Sequence, residues 1–398
     1  MSIQGFLERF KFEDTGCLKS ILKIDRREVP MFCNEFWTKE QRKANPIHEV
    51  SYRACFKPQL PAFFIRLLTR PGERVYDPFM GRGTTPVEAA LLGRIPVGND
   101  INPLAKVLAE PRVAPPVLDK IRAQLESIDL VESLQADIDL SMFYHPGTEG
   151  QLVSLRNYLL QRRQSGQEDM VDKWIRMVAT NRLTGHSPGF FSVYTLPPNQ
   201  AASPRRQQMI NQKRGQAPEY KEIKPLILKK SAQLLKKSCP GGAPSYTFYQ
   251  QDARHTVGIP SESISLTVTS PPFLDIVQYS DDNWLRCWFN GIDHRTVEEE
   301  ITTPSCPQEW ARIMQDVFHE LYRITKTKGH VAFEVGEVRN GRVRLEELVI
   351  PAGMGAGFDC EAVMINTQQF TKTSSIWGVD SNTKGTNTNR IVIFKKRR

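Results

Sequence analysis

The stretch Val75-Tyr76-Asp77-Pro78-Phe79-Met80-Gly81-Arg82-Gly83-Thr84-Thr85 decides how this chain folds. Its first five residues have the character of a short buried strand, and two glycines then form a turn. A threonine is placed to cap the following helix, which has proline in its first turn, continues over 84–92 and ends at Gly93. A second strand is predicted at 95–100. A strand, a helix and a strand in this order predict a parallel α/β sheet.

The side chains around this turn indicate which ligand it binds. Glycines between a strand and a helix allow a ligand to approach the backbone, but no phosphate-binding Gly-Lys-Ser/Thr follows them, and Pro86 replaces the third small residue of the dinucleotide fingerprint. Asp77 would repel a phosphate and suits an ammonium group. Asp100 ends the second strand and is placed to hold two ribose hydroxyls. These features predict a nucleoside joined to an amino acid, a description that S-adenosylmethionine fits.

A second informative stretch, Thr269-Ser270-Pro271-Pro272-Phe273, follows the apolar strand predicted at 264–268. Proline has no N–H to donate and a fixed φ, so the strand must end there. The turn leaves a hydroxyl, two carbonyls and an aromatic ring at the carboxyl end of a strand, where open α/β sheets bind their ligands. A planar group with an amine can stack on the ring and donate to the oxygens. A lone motif of this kind is more often only a proline-rich turn, so the rest of the chain decides.

The composition is that of an ordinary globular protein. The chain has 398 residues, of which 40% are hydrophobic and 24% charged, enough for one large α/β domain with an insertion or for two domains. No apolar run reaches membrane-spanning length and the N-terminus has no signal-peptide pattern, so a cytoplasmic location is expected. The seven cysteines are odd in number and form no Cys-x-x-Cys pair. They predict reduced thiols and no metal site.

The pattern along the chain changes twice. Helical periodicity prevails over 116–242, where few strands are evident. Strand patterns resume afterwards, at 245–249, 264–268, 330–335, 360–365 and 390–394. The predicted layout is one α/β sheet interrupted by a mainly helical insertion. We divide the chain into an N-terminal arm (1–45), a cofactor-binding half (46–115), the helical insertion (116–242) and a catalytic half (243–398).

The net charge of +9 is unevenly distributed. Residues 203–238 carry ten Lys or Arg against two Glu, a net of +8, and the C-terminal four residues add +4, so the remainder is slightly acidic. A basic run is often only a solvated helix face, but a surplus concentrated in one segment favours a polyanionic partner. The insertion is therefore the predicted nucleic-acid surface. Its candidate contacts are Arg205, Arg206, Lys213, Arg214, Lys229 and Lys230.

Together these ordered motifs resemble those of the amino-group DNA methyltransferases, which modify cytosine N4 or adenine N6. Residues 77–85 are similar to the cofactor motif of that family and residues 269–273 to its catalytic motif. Three further segments resemble family segments that contact the cofactor, namely 48–58, 98–103 and 251–254. Several motifs in the right order are much more specific than any single one.

The resemblance implies a fold, a cofactor and a set of site residues. The implied fold class is α/β, a Rossmann-like S-adenosylmethionine methyltransferase sheet with helices on both faces. The implied cofactor is S-adenosyl-L-methionine, with contacts from Phe56, Asp77, Pro78, Phe79, Gly81, Gly83, Thr84, Thr85, Asp100 and Asp252. The implied catalytic residues are Ser270, Pro271, Pro272 and Phe273. In these roles Ser270 Oγ and the Pro271 carbonyl accept the N–H bonds of the target amine, while Phe273 stacks on the base.

The activity implied is site-specific methylation of double-stranded DNA by base flipping and direct transfer, without a covalent enzyme intermediate. In this family Ser-Pro-Pro usually accompanies cytosine N4, whereas Asp-Pro-Pro or Asn-Pro-Pro accompanies adenine N6, so cytosine N4 is the predicted target. Adenine N6, an RNA substrate and a catalytically inactive DNA-binding protein are the alternatives. A role as a modification enzyme adds a cognate restriction endonuclease to the expected partners, and no membrane partner is expected.

Overall fold

The computed structural model describes residues 2–24, 27–37, 44–53, 55–237, 242–243, 245–272, 279–301, 304, 306–338, 343–367 and 388–397. Its strands are β1 (Lys11–Phe12), β2 (Thr15–Gly16), β3 (Leu18–Ile24), β4 (Arg27–Asn34), β5 (Arg74–Asp77), β6 (Ile95–Asn99), β7 (Thr247–Tyr249), β8 (Ile264–Thr269), β9 (Thr325–Val335), β10 (Glu337–Val338), β11 (Val343–Arg344), β12 (Asp359–Thr367) and β13 (Thr388–Lys395). Its helices are α1 (Ile3–Leu7), α2 (Gln59–Leu68), α3 (Thr84–Leu91), α4 (Pro103–Val113), α5 (Leu118–Ser127), α6 (Pro146–Gln164), α7 (Met170–Arg182), α8 (Pro204–Arg214), α9 (Ile223–Leu235), α10 (Tyr279–Asn290), α11 (His294–Glu300), α12 (Pro307–Ile324) and α13 (Leu345–Gly355).

A nine-stranded sheet organises the molecule, in the order β3-β4-β12-β13-β9-β8-β5-β6-β7. Strands β7, β6, β5, β8 and β9 are mutually parallel, and β13 is antiparallel to β9 and to β12. The chain leaves β5 toward β6 on one side, and β8 later pairs with β5 on the other side. This reversal of strand order creates a crevice at the carboxyl ends of β5 and β8, the usual ligand position in open α/β sheets.

Both faces of the sheet are covered by helices, which explains why the central strand β8 is buried along its whole length. Along β13, Ile391 and Ile393 pack on the face that carries α1 and α2, whereas Val392 and Phe394 pack on the face that carries α12 and α13. The ring of Phe394 lies 5.0 Å from that of Phe318 on α12. Side chains alternate between the two faces of a strand, so each strand contributes to two cores. The predicted α/β class is confirmed.

Two strands of this sheet, β3 and β4, lie in the segment predicted to be an N-terminal arm. Strand β4 pairs in parallel with β12, and β3 pairs antiparallel with β4 at the edge. The composition of β3 explains why its sequence does not indicate a strand: Leu18 and Ile21 are exposed and lysines stand near them. An edge strand that buries little apolar surface lacks the alternation that identifies a half-buried strand.

The residues between α4 and β7 are mainly helical, as predicted, and α5 to α9 pack into a core that they share with α4. Trp174 and Phe143 are fully buried there. Helix α10, which follows the catalytic stretch in the chain, inserts Leu285 and Phe289 into the same core. The insertion is therefore packed against an element of the catalytic half. No helix among the described residues is long and apolar enough to cross a membrane.

Candidate active site

A cavity of 130 Å³ lies at the carboxyl ends of β5, β6 and β8. It brings together side chains from stretches that are almost two hundred residues apart in the chain, because these parallel strands all end at the same edge of the sheet. The predicted site residues that line it are Phe56, Asp77, Pro78, Phe79, Gly81, Thr84, Asp100, Asp252, Ser270, Pro271 and Pro272. Phe273 lies outside the described residues.

A hydrogen bond joins the two halves of the site. Thr269 Oγ donates to Asp77 Oδ1 over 2.6 Å, and the Phe79 N–H donates to the same oxygen. Asp77 is 1% exposed, and among the described residues no cation pairs with it. Burial raises the pKa of its carboxyl from 3.8 to about 7, although the hydrogen bonds oppose this shift. A positively charged partner would therefore stabilise the ionised form of Asp77.

Asp100 is held in place by the backbone of two turns. Its carboxylate accepts from the Gly81 N–H over 2.8 Å and from the Asn102 N–H over 2.9 Å. Burial raises the pKa of the carboxyl to about 6, despite these two hydrogen bonds. Each oxygen retains a further lone pair, so Asp100 can still accept from ligand hydroxyls.

The glycine turn depends on its glycines for two different reasons. Gly81 has a φ of +49° and packs against the ring of Tyr52. Gly83 has a φ of +79°, and a Cβ there would come within 2.4 Å of the Ala109 Cβ on α4. Gly83 thus allows α3 and α4 to approach each other and does not line the cavity. Thr85 is also behind the cavity, where its hydroxyl donates to the Val268 carbonyl over 3.0 Å.

Arg82 attaches the segment before α2 to the glycine turn. Its guanidinium donates to the Val50 carbonyl over 2.9 Å and to the Phe56 carbonyl over 3.4 Å, and its Nε donates to Thr84 Oγ. This fork of donors holds the chain that carries Phe56 against the cavity. Arg82 is thus a positioning residue, a role that its sequence context does not indicate.

The wall contributed by the end of β7 differs from the prediction in its chemistry. Asp252 lines the cavity, but its carboxylate is engaged by the Arg254 guanidinium at 2.5–3.0 Å. The neighbouring Gln251 is fixed by its backbone, whose N–H and carbonyl both bond to the Asn99 side chain. Gln251 Oε1 is buried and accepts no hydrogen bond from the described residues. It is an additional acceptor for a ligand amine.

Ser270 is half-buried at the end of β8, beside a buried carboxylate. The register of β8 and β9 pairs Thr269 with Phe333, which brings Ser270 next to Glu334. The Ser270 and Asn389 side chains hydrogen-bond to Glu334, which is 6% exposed. Burial raises the pKa of the Glu334 carboxyl from 4.5 to about 7. A serine that donates to a carboxylate keeps its own lone pairs available as acceptors.

The two proline carbonyls of the catalytic stretch have different roles. Trp310 on α12 donates its indole N–H to the Pro272 carbonyl over 2.9 Å. Among the described residues, none donates to the Pro271 carbonyl. Pro271 thus presents an available acceptor beside Ser270, and Trp310 fixes the turn behind it. Nothing in the sequence around Trp310 indicates this role, because the sequence of α12 predicts only an amphipathic helix.

The charged groups that line the cavity are mainly acidic. Asp77, Asp100, Asp252 and Glu300 are opposed there by Arg254 alone among the described lining residues. The opposite wall is apolar and is formed by α12 side chains such as Ile313 and Met314. An acidic pocket with an apolar wall suits a planar, positively charged ligand and disfavours a polyphosphate.

The basic segment of the insertion forms a separate surface on α8. Arg205, Arg206, Lys213 and Arg214 are exposed, and the guanidinium of Arg214 lies 3.8 Å from the centre of the Tyr194 ring. Gln207 is the one buried side chain of the helix, so α8 presents nearly all of its circumference to solvent. A helix that is polar all round buries little apolar surface against its own protein, so its side chains are available to a partner.

The two lysines predicted on α9 lie on different faces of the helix. Lys229 is exposed, whereas Lys230 is buried and places its Nζ 3.0 Å from Glu49 Oε2. Successive residues on a helix are about 100° apart, so adjacent positions do not share a face. Lys230 is therefore not part of the outer basic surface, contrary to its grouping with Lys229.

Comparison with known proteins finds similarity mainly in the first part of the chain. Residues 19–110 match the family model described as DNA methylase, of the N6/N4 type. The type II methyltransferase M.MvaI of Kocuria varians is 34% identical over 99 residues, which span 24% of this chain and 21% of that protein. The type II methyltransferase M.BsoBI of Geobacillus stearothermophilus is 21% identical over 76% of this chain and 66% of its own length. The chain thus spans between 21% and 66% of the length of these relatives.

Among solved structures, a DNA modification methylase of Thermus thermophilus, in complex with S-adenosyl-L-methionine, is 20% identical. The alignment covers 37% of this chain and 54% of that chain, with a TM-score of 0.24. The matches to the family model and to M.MvaI confirm the predicted resemblance to the amino-group DNA methyltransferases over the segment that they cover.

Proposed function

We propose that this chain is an S-adenosylmethionine-dependent DNA methyltransferase that transfers a methyl group to the N4 amine of cytosine in duplex DNA. The observation that carries the proposal is the convergence of Asp77, Asp100 and Ser270 on one cavity, with the Thr269–Asp77 hydrogen bond between the two halves. The family match over residues 19–110 supports the same class of enzyme.

The cavity is suited to the cofactor in three respects. Asp77 is a buried carboxylate that lacks a cationic partner among the described residues, which fits the ammonium end of S-adenosylmethionine. Asp100 retains lone pairs for ribose hydroxyls, and the buried Gln251 Oε1 is an unsatisfied acceptor for the adenine amine. When bound, S-adenosylmethionine supplies an electrophilic methyl group.

The residues of the catalytic stretch would then act on the base. The lone pair of an exocyclic amine is delocalised into the ring, so the amine is a weak nucleophile until its N–H bonds are drawn out of the ring plane. Ser270 Oγ and the Pro271 carbonyl are the acceptors that do this. The nitrogen gains a methyl group and loses a proton, and Glu334 behind Ser270 provides a buried carboxylate toward which that proton can move. Fixed acceptors and a fixed approach supply most of the rate effect.

Cytosine N4 is the proposed target because the residue before the two prolines is a serine, Ser270. Its hydroxyl donates to Glu334 and accepts from the substrate, whereas a carboxylate or amide in its place would present a different donor pattern. A base stacked within duplex DNA cannot enter a recessed cavity, so the target nucleotide would leave the stack at a cost of a few kcal/mol. The exposed basic helix α8 would offset that cost through contacts with phosphates.

The test uses the purified full chain with S-adenosylmethionine labelled in its methyl group. Mixed-sequence duplex DNA and structured RNA are offered separately, and the nucleosides of each product are resolved by mass spectrometry. We expect N4-methylcytosine in DNA. N6-methyladenine without N4-methylcytosine would overturn the choice of target, and label found in RNA alone would overturn the choice of polymer.

Two variants test the site itself. Ser270→Ala should lower transfer about 10- to 100-fold, the loss expected when a hydrogen bond to a developing charge is removed, and should leave cofactor binding unchanged. Ser263→Ala is the matched control, because that serine lies at the opposite end of β8 and its hydroxyl bonds to the Pro260 carbonyl. Equal loss in both variants, or loss of cofactor binding in Ser270→Ala, would contradict the assigned role.

A further inference from the structure

A second cavity, of 450 Å³ and open to solvent, lies between the cofactor-binding half and the insertion. Its polar lining comes from three separate elements. Arg82 belongs to the glycine turn, Arg182 ends α7, and Lys230 projects inward from α9. Tyr52 lines both this cavity and the active-site cavity, so the two spaces share one wall.

The charge balance of this second cavity is the reverse of that in the active site. Three cations line it, and Glu49, which pairs with Lys230, is the single carboxylate among its described lining residues. Arg182 has no carboxylate within ion-pair distance among the described residues. Its guanidinium stacks 3.9 Å from the centre of the Phe190 ring and donates to the Asn181 carbonyl. The cavity thus carries positive charge that the described part of the protein does not neutralise.

A further buried cation, Arg286, lies close to Arg182 behind the lining of this cavity. Arg286 on α10 is 6% exposed and bonds to the Pro198 carbonyl and to Asn283 Oδ1. Burial and the proximity of Arg286 lower the pKa of Arg182 to about 10. Burial, to which the proximity of Arg182 adds, also lowers the pKa of Lys230, although Glu49 opposes this shift. Cations that repel each other at close range are suited to bind an anion, because the anion's negative charge would offset the repulsion.

We propose that this second cavity binds a backbone phosphate next to the target nucleotide. The proposal rests on the function proposed above, since the shared Tyr52 wall puts an anion site directly beside the site for the base. In a flipped nucleotide the sugar separates the base from the phosphate. The acidic pocket that would hold the base and cofactor repels a phosphate, so the backbone needs a separate basic pocket. The planar fork of Arg182 suits bidentate contact with phosphate oxygens.

The experiment measures binding of mixed-sequence duplex DNA to the full chain at a series of salt concentrations. Removing one phosphate contact reduces the slope of log K against log salt by about one. We expect this reduction for Arg182→Gln and for Lys230→Gln, and no reduction for Arg182→Lys, which keeps the charge. Lys120→Gln is the matched control, because Lys120 is an exposed cation on α5, outside both cavities.

Thermal unfolding separates a binding role from a structural one. Replacement of a repelled, partly buried cation should leave the melting temperature of Arg182→Gln equal to or above that of the wild type. A clearly lower melting temperature, or a salt slope equal to that of the wild type, would overturn the proposal. Stabilisation of the wild type, but not of Arg182→Gln, by inorganic phosphate with no change in the DNA slope would identify free phosphate as the ligand and also overturn it.

Cofactor binding and methyl transfer by the wild type are measured in parallel. If the wild type neither binds S-adenosylmethionine nor methylates DNA, the proposed function fails. If it does both and Arg182→Gln keeps the wild-type salt slope, the phosphate site alone fails.

Discussion

Replacing Glu334 with glutamine should make the protein more stable and less active. The carboxyl is 6% exposed and its pKa is raised from 4.5 to about 7, with burial as the main cause. Between these two pH values the folded state holds a proton that the unfolded state has released, so stability falls as pH rises. Above pH 7 the ionised, buried carboxylate lowers the free energy of unfolding by about 3 kcal/mol. Glu334→Gln removes this effect.

The expected result is a difference in stability that depends on pH. Urea unfolding at pH 8.5 should show Glu334→Gln to be more stable than the wild type by up to about 3 kcal/mol, and the difference should disappear near pH 4.5. Glu320→Gln is the matched control. Burial of Glu320 opposes its ionisation, but hydrogen bonds from Arg323 and Thr256 outweigh this and hold its pKa below 4.5, so this replacement should lower stability above that pH.

Methyl transfer should respond in the opposite direction. When Glu334 is ionised it accepts the Ser270 hydroxyl, and Ser270 then offers its lone pairs to the amine. The wild-type rate should therefore rise through about pH 7 to a plateau, whereas Glu334→Gln should show a flat profile and a plateau about 10- to 100-fold lower. A variant that is less stable than the wild type at pH 8.5, or one that keeps the wild-type pH profile, would refute this reasoning.

Three further predictions concern the walls of the site. Trp310→Phe removes the donor to the Pro272 carbonyl and should lower single-turnover transfer about fivefold, the value of one hydrogen bond, with cofactor affinity unchanged; an unchanged rate contradicts it. Arg82→Lys loses the fork that holds the segment with Phe56 and should weaken S-adenosylmethionine binding about tenfold by equilibrium dialysis. Burial raises the pKa of Asp77 to about 7 and that of Asp100 to about 6, and a cationic ligand favours their ionised forms. Cofactor affinity should therefore rise from pH 5.5 to 8 with release of protons, measured by calorimetry in buffers of different ionisation enthalpy, and proton uptake would contradict the assignment.

The parallel sheet was predictable from its central strands, whereas its edge was not. Strand β8 is buried at every position because both its faces are covered, and the turns that follow β5 and β8 are rich in Gly or Pro. Strand β3 buries little and carries lysines, so no apolar pattern distinguishes it from a loop. The same local signals placed Asp77, Asp100 and Ser270 at strand ends, which is why they meet in one cavity.

Site residues that depend on three-dimensional register were beyond prediction. Glu334 lies within a correctly predicted strand, but its meeting with Ser270 follows from the pairing of Thr269 with Phe333, and a slip of one residue would turn its side chain to the other face. Trp310 reaches Pro272 only because α12 packs over the end of β8. A count of charges likewise could not show that Lys230 faces inward, because adjacent residues of a helix such as Lys229 and Lys230 lie on different faces.

The path of α10 connects the basic surface to the catalytic stretch. This helix follows that stretch in the chain, and its buried side chains pack into the same core as the helices of the insertion. Its side chains bond to the segment that leads into α8: Trp284 donates to the Ala202 carbonyl, and Arg286 donates to the Pro198 carbonyl. The segment that leads into α8 is therefore held by hydrogen bonds to the helix that follows Ser270 in the chain. The basic helix α8 and the catalytic stretch are thus linked through α10, by side-chain hydrogen bonds on one side and by the order of the chain on the other.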